Sequence, residues 1–190
     1  MLQAIVKFPN YNTYSVDNIV NGYIKFTQYD NTNNVLVEVK LSGLPPGIHG
    51  FHIHEYPIKQ EFIEELQKGK TVKNLCNTLG GHFNPFNVNH GSYRYNTIRH
   101  AGDLINNLYV DISGKVNVIF ADSLISLNKN DINCILNKSI VIHESPDDEG
   151  LPGLNALIEN KKLNNKEKES LKTGNAGKRI ACGNITQVNY

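Results

Sequence analysis

The chain has 190 residues, a length that suits one domain of ordinary size with a sizeable hydrophobic core. Its formal net charge is +1 and charged residues make up 19% of it, which excludes a basic nucleic-acid binder, an acidic tail protein, a highly charged disordered chain and a coiled coil. No stretch approaches the roughly 18 apolar residues of a membrane span, and no signal peptide is seen at the start. We therefore expect a cytoplasmic protein (in the host cytoplasm if the source is viral) that binds neither nucleic acid nor membranes.

Short runs of alternating apolar and polar residues predict eight β-strands. In chain order the runs are AIVKF, VNGYIKF, VLVEVKL, GFHIHEY, NLYVDI, VNVIFADSLISL, SIVIHES and ACGNITQV. Turn signals such as DNTNN, SGLPPG, SGK and NKND separate many of them. Eight strands of this length are typical of an antiparallel sandwich or barrel, so we expect an all-β fold in a single domain, 1–190.

Two segments interrupt the strand pattern. Residues 57–75 and 151–172 are polar and rich in lysine, and they contain helix-like stretches such as EFIEELQKGK. Loops of this length in a β-domain are usually functional or disordered. We expect both to be inserted loops of the one domain.

The cysteines alone leave two interpretations open. Cys76, Cys134 and Cys182 are odd in number and widely spaced, which excludes a disulfide-rich scaffold and a CxxC zinc site. Counting is compatible with three reduced core thiols, or with one disulfide and a spare thiol.

All seven histidines fall between His49 and His143. His52 and His54 lie two apart in the predicted strand GFHIHEY, so their rings share one face and can hold one ion. His49 is an odd number of positions from His52, which puts it on the opposite face as a structural residue. His143, in the predicted strand IVIHES, could close the first site from across the barrel.

A second cluster follows in the stretch GGHFNPFNVNHGSYRYNTIRHAGD. It contains His82, His90, His100 and Asp103, and neighbouring glycines allow the loop to fold tightly around an ion. Three imidazoles with one carboxylate form a donor set that suits Zn²⁺. Imidazoles without thiolate suit copper or zinc better than Mg²⁺ or Ca²⁺. The spacing therefore predicts a binuclear, imidazole-rich site, without indicating a reaction.

These motifs resemble the copper/zinc superoxide dismutase family. GIHGFHIHE resembles the copper-binding strand of that family, while GGHFNP, NHG and RHAGDL resemble its zinc loop. SIVIHESPDD resembles the strand with the last copper ligand, and GNAGKRIACGNI resembles the C-terminal signature. The resemblance extends from about residue 43 to residue 185, with the motifs in the family's order. It implies a Greek-key barrel that binds one copper and one zinc ion per chain.

The resemblance also implies a role for each site residue. The copper ligands would be His52, His54, His82 and His143. The zinc ligands would be His82, His90, His100 and Asp103, so that His82 bridges the two metals. Asp147 would link a copper histidine to a zinc histidine, and Arg179 would attract the anion beside the copper. Cys76 and Cys182 would form a disulfide and leave Cys134 free.

The implied activity is antioxidant: two superoxide radicals and two protons become O₂ and H₂O₂ through alternating reduction and reoxidation of copper. The implied partners are superoxide, a second copy in a homodimer and a copper chaperone. An alternative is a copper/zinc-binding or copper-delivery protein on the same barrel, although the retained ligand types, Arg179 and the lack of CxxC argue against it. A β-sandwich with incidental histidines would need seven ligand-type positions to arise by accident.

Two departures from the family pattern concern the inserted segments. The stretch between His54 and Cys76 is longer than in the family and lies where eukaryotic members form their dimer contact, which weakens the expectation of a homodimer. The stretch from His143 to Arg179 is also longer. Five of its lysines (Lys161, Lys162, Lys166, Lys168 and Lys172) either form a solvated charged loop or guide superoxide to the copper.

Overall fold

The computed structural model describes residues 1–8, 20–70, 72, 75–95 and 98–188. Within this part of the chain there are eight β-strands, each of which overlaps one of the predicted runs. They are β1 Leu2–Lys7, β2 Asn21–Gln28, β3 Val35–Ser42, β4 Gly47–His54, β5 Asn107–Val110, β6 Lys115–Asp122, β7 Ser139–His143 and β8 Arg179–Gln187.

The strands form one antiparallel sheet in the order β5-β4-β7-β8-β1-β2-β3-β6. The two edge strands, β5 and β6, are consecutive in sequence, and a backbone hydrogen bond from Asp111 N–H to the Lys115 carbonyl lies in the turn between them. The sheet therefore curls into a nearly closed barrel. The connections β3–β4 and β6–β7 join strands that are not neighbours, which is the Greek-key arrangement that the resemblance implies.

Period-two burial explains why these segments are strands. In β3, Val35, Val37 and Val39 are fully buried, whereas Leu36 and Lys40, on the other face, are exposed. The inward side chains of all the strands form the core inside the barrel. Removing a fully buried side chain of this size from water contributes about 1.5–3 kcal/mol to the stability of the barrel.

Strands β4 and β7 depart from this alternation because they are buried on both faces. Phe51 and Ile53 of β4 pack into the barrel core. His52 and His54 alternate with them and point outward, yet they are also buried, since long loops cover this part of the barrel wall. The space between the barrel wall and these loops holds the candidate site.

Three α-helices and two 3₁₀ turns lie between the strands in the described ranges. They are α1 Gln60–Gln67, the turns Leu75–Thr78 and Ala101–Asp103, α2 Leu151–Ile158 and α3 Asn165–Thr173. Helix α1 lies in the helix-like stretch of segment 57–75, of which residues 71, 73 and 74 are outside the described part. None of the described helices has the length and apolar character that crossing a membrane requires.

Most of the second inserted segment, 151–172, is helical, in line with the helix-like stretches of its sequence. Asn164 caps α3 by accepting a hydrogen bond from the backbone N–H of Glu167, whose side chain accepts one from Asn164 N–H in return. Gly153 of α2 lies so close to α3 that an added Cβ would stand 2.4 Å from Leu171 Cγ. Reciprocal capping of α3 and the small residue Gly153 at the contact thus stabilise the pair formed by the apolar α2 and the polar α3.

Candidate metal centre

Strands β4 and β7 position three of the histidines. The strands pair with His52 opposite Val141 and His54 opposite Ser139. An irregularity in the β7–β8 register between Ile142 and His143 changes the pairing so that His143 lies opposite Arg179. A bridge from His54 to His82 then brings the start of the histidine loop (residues 80–103) against β4.

Four ligand atoms, one each from His52, His54, His82 and His143, lie within 4.8 Å of one another, and all four residues are buried. We refer to these four as the all-histidine group. The Nε2 atoms of His54 and His143 are 3.4 Å apart. Among the described residues, His52 Nδ1 and His82 Nε2 are buried without a hydrogen-bond partner. Buried polar atoms are rarely left unpaired, so this convergence fits a bound cation.

The second group consists of His82, His90, His100 and Asp103, again with ligand atoms within 4.8 Å and all four residues buried. We refer to it as the carboxylate group. Asp103 Oδ1 lies 2.9 Å from Nδ1 of His82, 2.9 Å from Nδ1 of His90 and 3.0 Å from Nδ1 of His100. The other carboxylate oxygen accepts hydrogen bonds from the backbone N–H groups of His100 and Gly91, which fixes its orientation.

Each outer histidine has one ring nitrogen bonded to an oxygen and the other turned toward its group. In the all-histidine group, His54 Nδ1 donates to the Gly80 carbonyl and His143 Nδ1 donates to the Gly177 carbonyl. In the carboxylate group, His100 Nε2 donates to the Val88 carbonyl. Such bonds select the tautomer that leaves the inner nitrogen free to bind a metal.

His82 is the one member of both groups. Its Nδ1 faces the carboxylate group and its Nε2 faces the all-histidine group. The donor sets fit two different ions: four imidazoles suit copper, and three imidazoles with a carboxylate suit zinc. The structure thus brings together all seven residues that the sequence singles out as ligands.

Asp147 joins the two groups from behind. Its buried carboxylate accepts a hydrogen bond of 2.7 Å from His52 Nε2 and one of 2.9 Å from His90 Nε2, each through a different oxygen. The side chain of Asn106 donates to Asp147 as well, at 3.1 Å, and to the Gly91 carbonyl. One carboxylate therefore fixes a ring of each group.

The pKa of His90, in the carboxylate group, shifts in the opposite direction from the pKa values of His52 and His143, in the all-histidine group. Burial, together with the neighbouring His82 and His143, lowers the pKa of His52 well below its ordinary value. Burial and His82 also lower the pKa of His143, to about 3. Burial lowers the pKa of His90 too, but the charges and hydrogen bonds of Asp103 and Asp147 outweigh it and raise this pKa to about 10.

Arg179, the first residue of β8, is half-buried beside the all-histidine group. Its Nη1 donates to the Cys76 carbonyl at 2.8 Å and its Nη2 to the Gly80 carbonyl at 2.6 Å. The Cys76–Cys182 disulfide is present, which confirms that prediction and ties the 3₁₀ turn at Leu75–Thr78 to β8. Among the three cysteines, all of them described, Cys134 is free as expected.

His49 lies apart from both groups, as the odd spacing predicts. Its ring is bonded to the carbonyl oxygens of His143 and Pro45, at 2.8 and 2.9 Å. Sequence analysis did not identify Asn106, nor a contact between Ser92 and Glu149. Nothing in the local pattern marks these residues, because the contacts from Asn106 to Asp147 and from Ser92 to Glu149 span 41 and 57 positions in sequence.

Comparison with known proteins gives a consistent result. The family model for copper/zinc superoxide dismutase (SODC) matches residues 20–185. The chain is 39% identical over 170 residues to "Superoxide dismutase [Cu-Zn] 4" of Dictyostelium discoideum, covering 90% of this chain and 93% of that protein. It is 40% identical over 164 residues to "Superoxide dismutase [Cu-Zn]" of Onchocerca volvulus, covering 86% and 87%.

A relative named as extracellular and a solved structure are also similar to the chain. The chain is 39% identical over 166 residues to "Extracellular superoxide dismutase [Cu-Zn]" of Drosophila melanogaster, covering 87% of this chain and 75% of that protein. Among solved structures, the crystal structure of the clock protein EA4 matches with a TM-score of 0.69 and 33% identity. That match covers 97% of this chain and 93% of the other.

Proposed function

Because the chain belongs to the copper/zinc superoxide dismutase family, we propose that its two buried ligand groups divide the work of that enzyme between them. The protein is an oxidoreductase that converts two superoxide radicals and two protons into O₂ and H₂O₂, with copper and zinc as cofactors. The proposal concerns which residues hold each metal and what each residue does.

We propose that the all-histidine group holds copper and that the carboxylate group holds zinc. Two observations support this assignment: the donor types, and the unpaired, buried nitrogens His52 Nδ1 and His82 Nε2. The observation that carries the proposal is that His82 belongs to both groups, with one ring nitrogen in each. A shared imidazole has this arrangement when it bridges two cations.

The residues around the metals then have separate tasks. Bound copper supplies reversible one-electron chemistry, which zinc lacks. His82 holds and releases a proton at Nε2, since its Nδ1 is fixed against Asp103. Asp147 keeps the rings of His52 and His90 in orientation through its two carboxylate oxygens.

Arg179 provides positive charge for the incoming anion. Its two hydrogen bonds to carbonyl oxygens hold the guanidinium beside His54 and His143 without neutralising it. Replacing it (Arg179→Ala) is expected to lower the dismutation rate by about tenfold, since local charge raises association rates by 10–10³. Copper and zinc contents should stay unchanged, and loss of copper from this variant would contradict the role.

The test of the proposed function is superoxide dismutation by the purified protein, with copper and zinc quantified in the same sample. We expect rapid turnover that cyanide abolishes and that increases in proportion to copper, up to one copper per chain. Both metals bound without turnover would instead indicate a metal-binding or copper-delivery protein. A copper-free sample is to be reconstituted with copper before it is assayed.

Four finer expectations from the sequence stay predictions: a homodimer, a copper chaperone, a cytoplasmic location and a single domain over 1–190. The family match over residues 20–185 supports the single domain. The names of two of the relatives, from Brugia pahangi and Drosophila melanogaster, include the word extracellular. Localisation of the tagged protein would therefore separate the cytoplasmic expectation from a secreted form.

A further inference from the structure

Three consecutive acidic residues follow β7, and each contacts a different part of the molecule. Asp147 accepts hydrogen bonds from His52 and His90. The next residue, Asp148, accepts one from the Ser170 hydroxyl of α3, at 2.8 Å, and one from Asn175, at 2.6 Å. Glu149 accepts one from the hydroxyl of Ser92, in the histidine loop. Segment 147–149 thus joins the ligand rings, the helix pair and the histidine loop.

The backbone of Glu149 adopts a conformation that is costly for a residue with a side chain. Its φ is 62°, in the left-handed region, and Gly150 follows with φ 71°. This turn brings the chain against the histidine loop, where a Cβ on Gly150 would stand 2.5 Å from the His90 carbonyl oxygen. The surroundings must stabilise the strained residue, and the contacts of Glu149 show how.

Glu149 is bound at both its backbone and its side chain. Its backbone N–H donates to Asp147 Oδ1 at 2.6 Å, and this same oxygen accepts the hydrogen bond from His90 Nε2. Its carboxylate accepts from Ser92, which is fully buried and lies only two residues beyond His90. The Ser92 hydroxyl also accepts a hydrogen bond of 3.1 Å from Tyr95 N–H, which fixes its direction.

These contacts form a closed circuit, which we call the Ser92–Glu149 network. It runs from His90 to Asp147, from Asp147 to Glu149, from Glu149 to Ser92, and back along the chain to His90. We propose that Ser92 and Glu149 are positioning residues that hold Asp147 against His90 and so maintain the ring orientations of both metal groups. This inference rests on the proposed function, because it takes the two groups as metal sites. It assigns a role to two residues that touch neither ligand group directly.

The test compares five variants of the copper- and zinc-loaded protein with a sixth that serves as the control. Ser92→Ala and Glu149→Ala remove one partner each, and the double variant removes both. Glu149→Gln keeps an oxygen that can accept the Ser92 hydroxyl. Glu149→Gly removes the side chain and also relieves the left-handed strain, so it keeps the test valid if Glu149→Ala folds poorly. Glu159→Ala, on an exposed residue just beyond α2, is the control.

Two measurements are made on each variant: the rate of zinc release to a chelator, and the absorption spectrum with cobalt in place of zinc. Outer partners of metal ligands typically alter affinity 10–100-fold, so we expect Ser92→Ala, Glu149→Ala and Glu149→Gly to release zinc about tenfold faster. Their cobalt bands should shift, because the His90 ring reorients. Glu149→Gln and the control should stay within about twofold of the wild type, and the double variant should match the single ones.

Several outcomes would overturn the inference. One such outcome is that Ser92→Ala and Glu149→Gly release zinc and give cobalt spectra as the wild type does. This result would show that the Ser92–Glu149 network does not hold the ligands. Effects that multiply in the double variant would show that the two residues act separately. If the wild type itself takes up no zinc or cobalt, the proposed function fails, whereas normal uptake with unaffected variants removes this inference alone.

Discussion

The all-histidine group and the carboxylate group share His82, and both are buried, yet they differ by a single donor. The all-histidine group has a fourth imidazole where the carboxylate group has Asp103. Without a negative charge among its ligands, burial keeps the histidines neutral and lowers the pKa of His143 to about 3. With the Asp103 and Asp147 carboxylates nearby, the pKa of His90 rises to about 10 despite burial.

One carboxylate thus changes how a metal-free group is held together. In the carboxylate group, Asp103 gathers three rings around one oxygen through hydrogen bonds and charge. In the all-histidine group, the inner nitrogens face one another without such a partner, and the rings are held from behind by carbonyl oxygens and Asp147. We infer that the carboxylate group is largely organised by protein contacts, whereas the all-histidine group depends more on its cation.

The largest effect is expected from removing the residue that the two groups share. His82→Ala takes a ligand from both groups and abolishes the link between them, so dismutation should fall by more than about 100-fold, beyond the range for outer partners. Copper should still bind through His52, His54 and His143, with a Cu²⁺ spectrum that no longer responds to zinc removal. A copper spectrum that still changes on zinc removal would contradict a bridge at His82.

Asp147→Asn should weaken both groups while leaving every ligand in place. An amide keeps the size of the side chain, but one of its two positions becomes an N–H₂ donor that cannot accept from His52 or His90. We expect zinc affinity to fall about 10–100-fold, measured by competition with a chelator. Asp131→Asn, on an exposed residue, is the matched control. Equal zinc affinity in the two variants would show that Asp147 does not support the metal ligands.

The pH dependence of the metal-free protein should separate the groups. The pKa of His143, ordinarily 6.5, is about 3 in the fold, so the unfolded chain binds more protons and stability is lost as the pH falls below 6.5. The pKa of His90 is raised to about 10, so its contribution is lost as the pH rises from 6.5 toward 10.

Each of these histidines changes stability by at most about 1.4 kcal/mol per pH unit. Urea denaturation of the metal-free protein should therefore give lower stability at pH 5 and at pH 9 than near pH 6.5. His143→Asn is expected to reduce the loss of stability at acidic pH, and His90→Asn is expected to reduce the loss of stability at alkaline pH. Unchanged slopes in both variants would contradict the charge difference between the groups.

Local sequence patterns could predict the strands and the ligands. Alternation in runs such as VLVEVKL requires only that one face be buried, and each of the eight runs overlaps a strand. His52 and His54 share a face for the same reason of period two. The resemblance added the pairing of Cys76 with Cys182, which counting left open and which the structure confirms.

Contacts between distant segments could not be predicted in this way. The bond between Ser92 and Glu149 spans 57 positions, and the link from Asn106 to Asp147 spans 41. Serine, asparagine and acidic residues are all common in polar loops, so their presence alone does not indicate these contacts. The bounds of α3 could not be predicted from apolar periodicity, because this helix is almost entirely polar. Such features depend on tertiary packing rather than on periodicity.

The helix pair leads to the prediction with the smallest effect. Five lysines, Lys161, Lys162, Lys166, Lys168 and Lys172, are exposed on or beside α3, and Lys161 pairs with Glu159. If they guide superoxide, replacing them with alanine should lower the dismutation rate at low salt by about twofold. The effect should be small and confined to low salt, because 0.1 M salt screens exposed charges within about 10 Å.

The matched control is Lys115→Ala, which removes one exposed lysine from β6, a strand that carries none of the seven candidate ligands. Guidance predicts that the lysine variants lose their deficit as salt is raised, whereas the control matches the wild type throughout. The same rate at every ionic strength would show that these lysines only solvate the polar face of the helices. In that case the hydrogen bond from the buried Ser170 hydroxyl to Asp148 would connect the helix pair to the metal centre, and the surface charge of the helices would have no part in turnover.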